Sequence, residues 1–245
     1  DNQHQCQIMA TMGGVYENKK VIDIDFVVDN TLCTNLFFPN GSNVVALPSN
    51  YYTLSGSKIT LNKSLMGAVD VQLTDAFFAD PKALTNTYVI PLRMTKVTNA
   101  DTIISGIPKI ANAQKTNSAY WDVLPKDYTL YCVKYINQWH ANYLRRGKDV
   151  ITDGGTTTTN VRHKEFVEKD EITSLKSASL TSVEYPVTLS VNGTNTTCTL
   201  LLSFDNQGKC TVSSKTNGFT ATGNGTFVKN GEKKSWGNKD RNALY

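Results

Sequence analysis

Residues Leu47–Thr95 read LPSNYYTLSGSKITLNKSLMGAVDVQLTDAFFADPKALTNTYVIPLRMT. Four runs rich in β-branched and aromatic residues, Tyr51–Leu54, Lys58–Leu61, Ala68–Leu73 and Tyr88–Met94, are punctuated by Ser-Gly, Asn-Lys-Ser and Asp-Pro. Short runs of this composition between turn formers predict strands. The stretch holds no His, no Cys and no Gly-rich phosphate loop. It therefore predicts a binding or scaffold module. Upstream, Ile22, Ile24, Phe26 and Val28 interleave with Asp23 and Asp25 ahead of Asp29, the period of a half-buried strand. Gln5–Ala10 predicts a further strand before a turn through Gly13-Gly14 and Glu17-Asn18. Asp75–Leu84 predicts a short helical turn within the sheet, because Pro81 cannot donate to a ladder. Ala100–Asp127 is irregular, and Tyr128–Asn137 is again strand-like.

Outward from this stretch, bulk properties bound the rest. The chain has 245 residues, 40% hydrophobic and 19% charged, with net charge +4. That length predicts two domains, with enough core to fold without disulfides or metals. Basic residues cluster no further than Lys19-Lys20, Arg145-Arg146 and Lys233-Lys234, so no nucleic-acid partner is expected. No apolar run is long enough to span a membrane as a helix. The chain opens on Asp1 rather than Met and reads as a trimmed sequence, so the lack of an export signal is uninformative. Of five cysteines, Cys132, Cys198 and Cys210 sit in apolar strand patterns as buried thiols, while Cys6 and Cys33 leave a disulfide open.

The second half predicts a meander. Residues 138–160 read as a junction, with Gly154-Gly155 and four threonines. Val183, Tyr185, Val187, Leu189 and Val191 alternate up to an Asn192-Gly193 turn, and Cys198, Leu200, Leu202 and Phe204 alternate after it. Lys209–Ser214, Gly218–Lys229 and Lys233–Trp236 complete the run, with Asn230-Gly231 as a two-residue hairpin turn.

The chemistry-bearing motifs are sparse. Val21–Asp29, VIDIDFVVD, lacks a glutamate two residues after Asp25, where Val27 stands, so no acid is placed to protonate a glycosidic leaving group. His4, His140 and His163 lie too far apart in sequence for a helical metal pair. No G-x-S-x-G elbow occurs. Asp149–Gly154 lacks the ligand ladder of an EF-hand. No cofactor or metal is expected, and enzyme is the weaker class.

Two stretches carry a resemblance. The first is YYTL…KITL…VDVQLTDAFFADPKAL…YVIPLRMT followed by YTLYCVKYINQWHANYLRRGKD. It resembles a family of Bacteroidetes exported proteins whose N-terminal β-sandwich also precedes endoglycosidase and laminin-G-like lectin domains. The tail, LLLSFDNQGKC…GNGTFVKNGEKKSWGNKDRNALY, resembles the C-terminal β-domain accompanying it in some members. The resemblance implies a lipid-anchored surface component of a polysaccharide-utilisation system, beside an outer-membrane importer. No lipobox cysteine opens the chain, so the anchor rests on the resemblance alone. In that setting the sequons at Asn40, Asn62, Asn192, Asn195 and Asn224 carry no weight.

Glycan binding needs aromatic faces for the apolar side of a pyranose and planar polar groups for its hydroxyls. Tyr120 and Trp121 lie in the irregular segment, where a large ring is less easily explained as core. Trp139, His140 and Tyr143 sit at the junction, either facing a ligand or packed and hydrogen-bonded. Trp236, Asn238, Asp240 and Arg241 share one short stretch, either as a site or as an Arg–Asp pair pinning the last strand. Tyr51-Tyr52 are further candidates. Arg145-Arg146-Gly147-Lys148 reads as an anionic-sugar or subunit contact, or as a solvated turn. The expected fold is all-β, with an Ig-like β-sandwich over residues 1–137, a junction over 138–160, and a calycin-like meander barrel or sandwich over 161–245. The expected function is non-catalytic capture of a glycan at the cell surface or in the periplasm. The alternatives are a module docking on an importer complex and a glycoside hydrolase with an unrecognised site.

Overall fold

The computed structural model describes residues 3–191 and 194–245; the Asn192-Gly193 turn and the Asn192 sequon lie outside them. The chain forms two compact units, Asp1–Tyr135 and Ile136–Tyr245. Both are built of β-strands.

Unit 1 contains β1 (Gln5–Thr11), β2 (Val21–Val28), β3 (Val45–Ala46), β4 (Tyr52–Leu54), β5 (Lys58–Asn62), β6 (Met66–Leu73), the helix α1 (Asp75–Ala79), β7 (Tyr88–Thr98), β8 (Ile107–Pro108), β9 (Trp121–Val123) and β10 (Tyr128–Val133). One sheet runs β1-β6-β4 and the other β10-β7-β2-β5, with β3 parallel to β7. Their inner faces meet in one core: Ile8, Val69 and Val71 from the first sheet, and Ile24, Phe26, Leu61 and Ile90 from the second. This is the expected sandwich. Burying each such side chain contributes about 1.5–3 kcal/mol, which offsets the entropy of ordering the strands.

Alternation in β2 holds through Ile22, Ile24 and Phe26, while Val28, expected inward, closes the strand exposed. The intervening acids are structural. Asp23 accepts from Thr60 at 2.7 Å and Lys58 at 3.3 Å, and Asp29 from Arg93 at 2.6 Å. Helix α1 and a 3-10 turn at Pro81–Leu84 occupy the predicted helical stretch, and Phe77, Phe78 and Ala83 close one end of the core. Asp80 between them caps Lys82 N at 2.9 Å and accepts the phenols of Tyr51 and Tyr88. Burial, then the hydrogen bond to Asp80, pushes the Tyr88 phenol up to about 12.

Unit 2 contains β11 (Ala141–Arg145), β12 (Gly147–Asp153), β13 (Thr156–Arg162), β14 (Glu171–Ser177), β15 (Ser182–Val191), β16 (Thr194–Phe204), β17 (Lys209–Ser214), β18 (Gly223–Glu232) and β19 (Arg241–Leu244). Seven of these form one antiparallel meander, β11-β14-β15-β16-β17-β18-β19, curled into a half-barrel, and β12-β13 form a separate hairpin. The concave face buries Leu175, Val183, Leu202, Phe204 and Cys210 around Trp139. Trp139 stacks on Phe204 with ring centroids 4.2 Å apart and planes 8° from parallel, and meets Phe227 edge-on at 6.3 Å.

Four expectations are corrected here. Residues 138–160 are not a linker: they supply the core tryptophan, a sheet strand and the β12-β13 hairpin. Asn230-Gly231 is no hairpin turn but a bulge inside β18, where the register with β19 shifts between Val228–Ala243 and Glu232–Arg241. The local turn preference yields there to close strand approach. A Cβ on Gly231 would lie 3.0 Å from Val228 Cβ and 3.1 Å from Ala243 Cβ. Lys233–Trp236 is consequently loop, and the last strand is β19. All five cysteines are free thiols; Cys198 and Cys210 are buried as expected, whereas Cys132 points outward between inward-facing Tyr131 and Val133.

Two outcomes are expected for stability. Trp139→Ala lowers the unfolding free energy of unit 2 by about 3–5 kcal/mol in a urea titration. Trp139→Phe costs under half of that, roughly 1–2 kcal/mol, because the indole N–H has no hydrogen-bond partner among the described residues. For Tyr88 the folded pKa is raised, so its contribution is complete below the unfolded value of 10.0 and is lost as pH climbs to about 12. Urea titrations of the wild type therefore weaken across that window by more than those of Tyr88→Phe.

Candidate functional site

The nine side chains expected to meet a ligand separate into three places. Trp121 is 8% exposed. Its indole N–H donates to Gln114 O at 2.9 Å, and Lys115 Nζ, ion-paired with Asp127 at 2.8 Å, lies 5.5 Å from the ring centroid. The ring pins the 100–127 excursion to unit 1, and it offers no stacking face. Neighbouring Tyr120 is 37% exposed.

Trp139, His140 and Tyr143 are the entry to the half-barrel. Trp139 is 5% exposed and spends its face on Phe204. Tyr143 donates its hydroxyl to Trp139 O at 3.1 Å, and burial pushes that phenol up. His140 Nδ1 accepts from Ser177 N at 3.0 Å, which ties the start of β11 to the end of β14. Trp139 is therefore packed with its indole N–H lacking a partner among the described residues, Tyr143 is half-buried and hydrogen-bonded, and His140 is hydrogen-bonded but exposed.

Trp236, Asn238, Asp240 and Arg241 come together on the loop between β18 and β19. Its path needs left-handed backbone at Lys234 (φ 44°), Gly237 (φ 71°) and Asn238 (φ 55°). Gly adopts this region freely and Asn more readily than other residues, so W-G-N suits a turn that closes on itself. Asn238 N donates to Ser235 O at 2.8 Å and Ser235 N to Lys239 O at 3.0 Å. Asp240 accepts from Lys233 Nζ at 2.9 Å and from Lys234 N at 3.1 Å, and the Lys233 hydrogen bond, followed by that of Lys234 N, holds its carboxyl below the usual range. Arg241 does not pair with Asp240. Its Nε donates to Trp236 O at 3.0 Å and its guanidinium sits 5.4 Å from the indole centroid. Trp236 is held from one side in this way and remains 56% exposed. The Asn238 carboxamide makes no hydrogen bond to any described residue.

This is an aromatic surface of fixed orientation ringed by donors and acceptors. Its arrangement suits stacking of an apolar ring face with polar groups to orient hydroxyls. An open depression of about 560 Å³ elsewhere in unit 2 is lined by residues 203–205, 209–211 and 224–226 and holds none of the expected site residues. Among the described residues no group of His, Cys, Asp and Glu is gathered to hold a metal ion. Periodicity did not mark the exposed apolar residues Ile104, Ile107, Ile110, Val123 and Leu124 around the β8-β9 pair. They lie in the segment with no repeat, where burial cannot be read from spacing.

Residues 138–245 match a family described as a domain of unknown function, DUF5627, and residues 1–101 match a family described as an N-terminal domain. The whole chain is 43% identical to a Bacteroides ovatus protein of unknown function, covering 78% of that chain with a TM-score of 0.95. It also aligns with a Bacteroides ovatus multidomain protein including DUF1735, at 15% identity over 91% of this chain and 68% of that one, TM-score 0.44. A Bacteroides thetaiotaomicron auxiliary nutrient binding protein aligns at 9% identity over the same shares, TM-score 0.48. No functionally curated protein matches the chain.

The environments of the three tryptophans give a direct solution test. Iodide is expected to quench a red-shifted emission component that disappears in Trp236→Phe and persists in Trp121→Phe. Equal loss in both variants would contradict the placement of the rings.

Proposed function

The chain belongs to the two-domain Bacteroides family of its 43% identical Bacteroides ovatus relative, and within that family we propose that it captures glycans without catalysis. One observation carries this reading: Trp236 is an exposed indole fixed by Arg241, with the unpaired Asn238 carboxamide beside it. Exposing a large aromatic costs hydrophobic free energy that a folded domain normally recovers by burial. Holding it in place with a cation and three left-handed residues is hard to explain by stability alone. A rigid ring needs no ordering when a sugar stacks on it, which favours binding.

Of the three acids in the Val21–Asp29 run, Asp25 lies 3.9 Å from Lys58 Nζ, while Asp23 and Asp29 are tied to Lys58, Thr60, Thr31 and Arg93. Those partners lower both carboxyls, with the hydroxyl hydrogen bonds of Thr60 and Thr31 as the leading causes, so neither is poised as a general acid at neutral pH. By the same proposal the chain acts outside the cytoplasm, anchored by lipid at the outer-membrane surface or held in the periplasm, as part of a polysaccharide-utilisation system. The resemblance in the 51–149 and 200–245 stretches is what supports this setting.

A second reading, an interaction module on an importer complex, is favoured by the apolar residues around β8 and β9, where Ile104 is 60% exposed. Contiguous exposed aliphatics of this kind mark interaction surfaces.

The test is a glycan-array and affinity-gel screen of the wild type beside Trp236→Ala. Truncating a central aromatic anchor is expected to weaken binding of the recognised polysaccharide about thirtyfold, a loss of roughly 2 kcal/mol. The thermal midpoint should stay unchanged, because the ring is on the surface. Absence of binding to every glycan would sink the proposal and turn attention to the 104–124 surface. There Ile107→Lys with Leu124→Lys should release an outer-membrane partner in a pull-down.

A further inference from the structure

We infer that the Trp236 loop selects anionic glycans, those bearing carboxylate or sulfate groups; this rests on the glycan-binding reading of the same loop. Charge is unevenly distributed here. Between Lys233 and Arg241 the chain places four cationic side chains against one carboxylate. That carboxylate, Asp240, is consumed inside the loop by Lys233 Nζ and Lys234 N. The nearest other acid, Glu232, accepts the Tyr245 hydroxyl at 2.6 Å. Both acids are thus committed to the fold. Lys234 Nζ and Lys239 Nζ make no ion pair among the described residues, and both residues are exposed. Arg241 uses Nε on the Trp236 carbonyl and lies 5.4 Å from the indole centroid, and its two terminal nitrogens make no hydrogen bond among the described residues. The result is an exposed ring with a guanidinium at its face, on a loop that also carries two ammonium groups without an ion pair among the described residues. A guanidinium of this kind matches a carboxylate or sulfate in two-point geometry.

The other basic cluster shows that such freedom is not automatic in this chain. Arg145 lies 3.4 Å from Asp149 and 3.6 Å from Glu171, and Arg146 Nε lies 2.8 Å from Asp170. Arg162 holds Asp149 and Glu171 as well. Those guanidiniums are neutralised where they clamp the base of the β12-β13 hairpin. Cations at the Trp236 loop are left over, on the same short stretch as an exposed aromatic.

The experiment is affinity electrophoresis and calorimetry of the whole chain. Polygalacturonate serves as the carboxylated probe, chondroitin sulfate as the sulfated one, and dextran and laminarin as neutral ones. Lys234→Gln/Lys239→Gln is compared with Lys96→Gln/Lys126→Gln, which removes the same charge from unit 1, and with Trp236→Ala. The expected result is binding of at least one anionic probe that falls about fivefold to tenfold in Lys234→Gln/Lys239→Gln, is unchanged in Lys96→Gln/Lys126→Gln, and weakens as salt screens the site. The carboxylated and sulfated arms then tell which group is preferred. Equal weakening by the two lysine pairs means attraction to net charge only and overturns the inference. Binding confined to the neutral probes overturns it while leaving glycan capture by Trp236 standing. Binding to no probe, with folding intact by circular dichroism, overturns both.

Discussion

The stack of Trp139 on Phe204 joins the first residues of unit 2 to the middle of its meander. Because the two rings lie nearly parallel at 4.2 Å, the sheet must curl far enough to bring β16 over the residue that precedes β11. Phe227 then meets the edge of the same indole, which fixes β18, and β18 in turn fixes β19 and the loop between them. A dispersion contact deep in the half-barrel thereby sets where the exposed Trp236 stands. The absence of a partner for the Trp139 N–H among the described residues shows the order of priorities, since packing of the ring prevailed over a hydrogen bond worth about 1 kcal/mol.

The β18-β19 connection illustrates how strand pairing and loop chemistry constrain one another. The bulge at 229–231 places more residues on β18 than on β19 between the same two register points. Asn230 N donates to the Asn242 side chain at 3.0 Å across this mismatch. A bulge bends its strand and so redirects the chain beyond it. Here the next loop is drawn inward by Asp240 and turned by three left-handed residues until its indole faces out. The acid that could have neutralised the loop is spent on shaping it.

Unit 1 uses its charged residues differently. Asp23, Asp29 and Asp80 each accept two or more hydrogen bonds from side chains or backbone of separate segments, which tie the two turns and the strand edge to the sandwich. The same unit leaves its long 100–127 excursion held by a buried Trp121 and by the Lys115–Asp127 pair, with aliphatic residues outside. The excursion is thus fixed at its root by a buried ring and an ion pair, while Ile104, Ile107, Ile110, Val123 and Leu124 stay exposed at its surface.

Strands were legible in the sequence because their signal is local. Ile22, Ile24 and Phe26, or Cys198, Leu200, Leu202 and Phe204, announce their faces with a period of two that needs no knowledge of the partner sheet. Asp75–Leu84 was legible as a helical interruption for the same reason. The candidate site was legible only in part. Residues Trp236, Asn238, Asp240 and Arg241 are near enough in sequence to be grouped from spacing, but nothing local says that Trp236 is exposed while Trp121 and Trp139 are buried. Exposure depends on contacts that no local period announces: Gln114 and Lys115 fold back on Trp121 within the irregular segment, and the distant Phe204 and Phe227 enclose Trp139. Asn230-Gly231 failed as a turn because pairing with β19 outweighed its two-residue preference. The sequence by itself thus determined the strands that alternate and the set of aromatic candidates, since both arise from neighbouring residues. Strands β11 to β13 carry no such alternation and read as a junction. Tertiary structure alone decided which ring faces solvent and which charges remain unpaired, since burial and ion pairing are properties of residues brought together from distant parts of the chain.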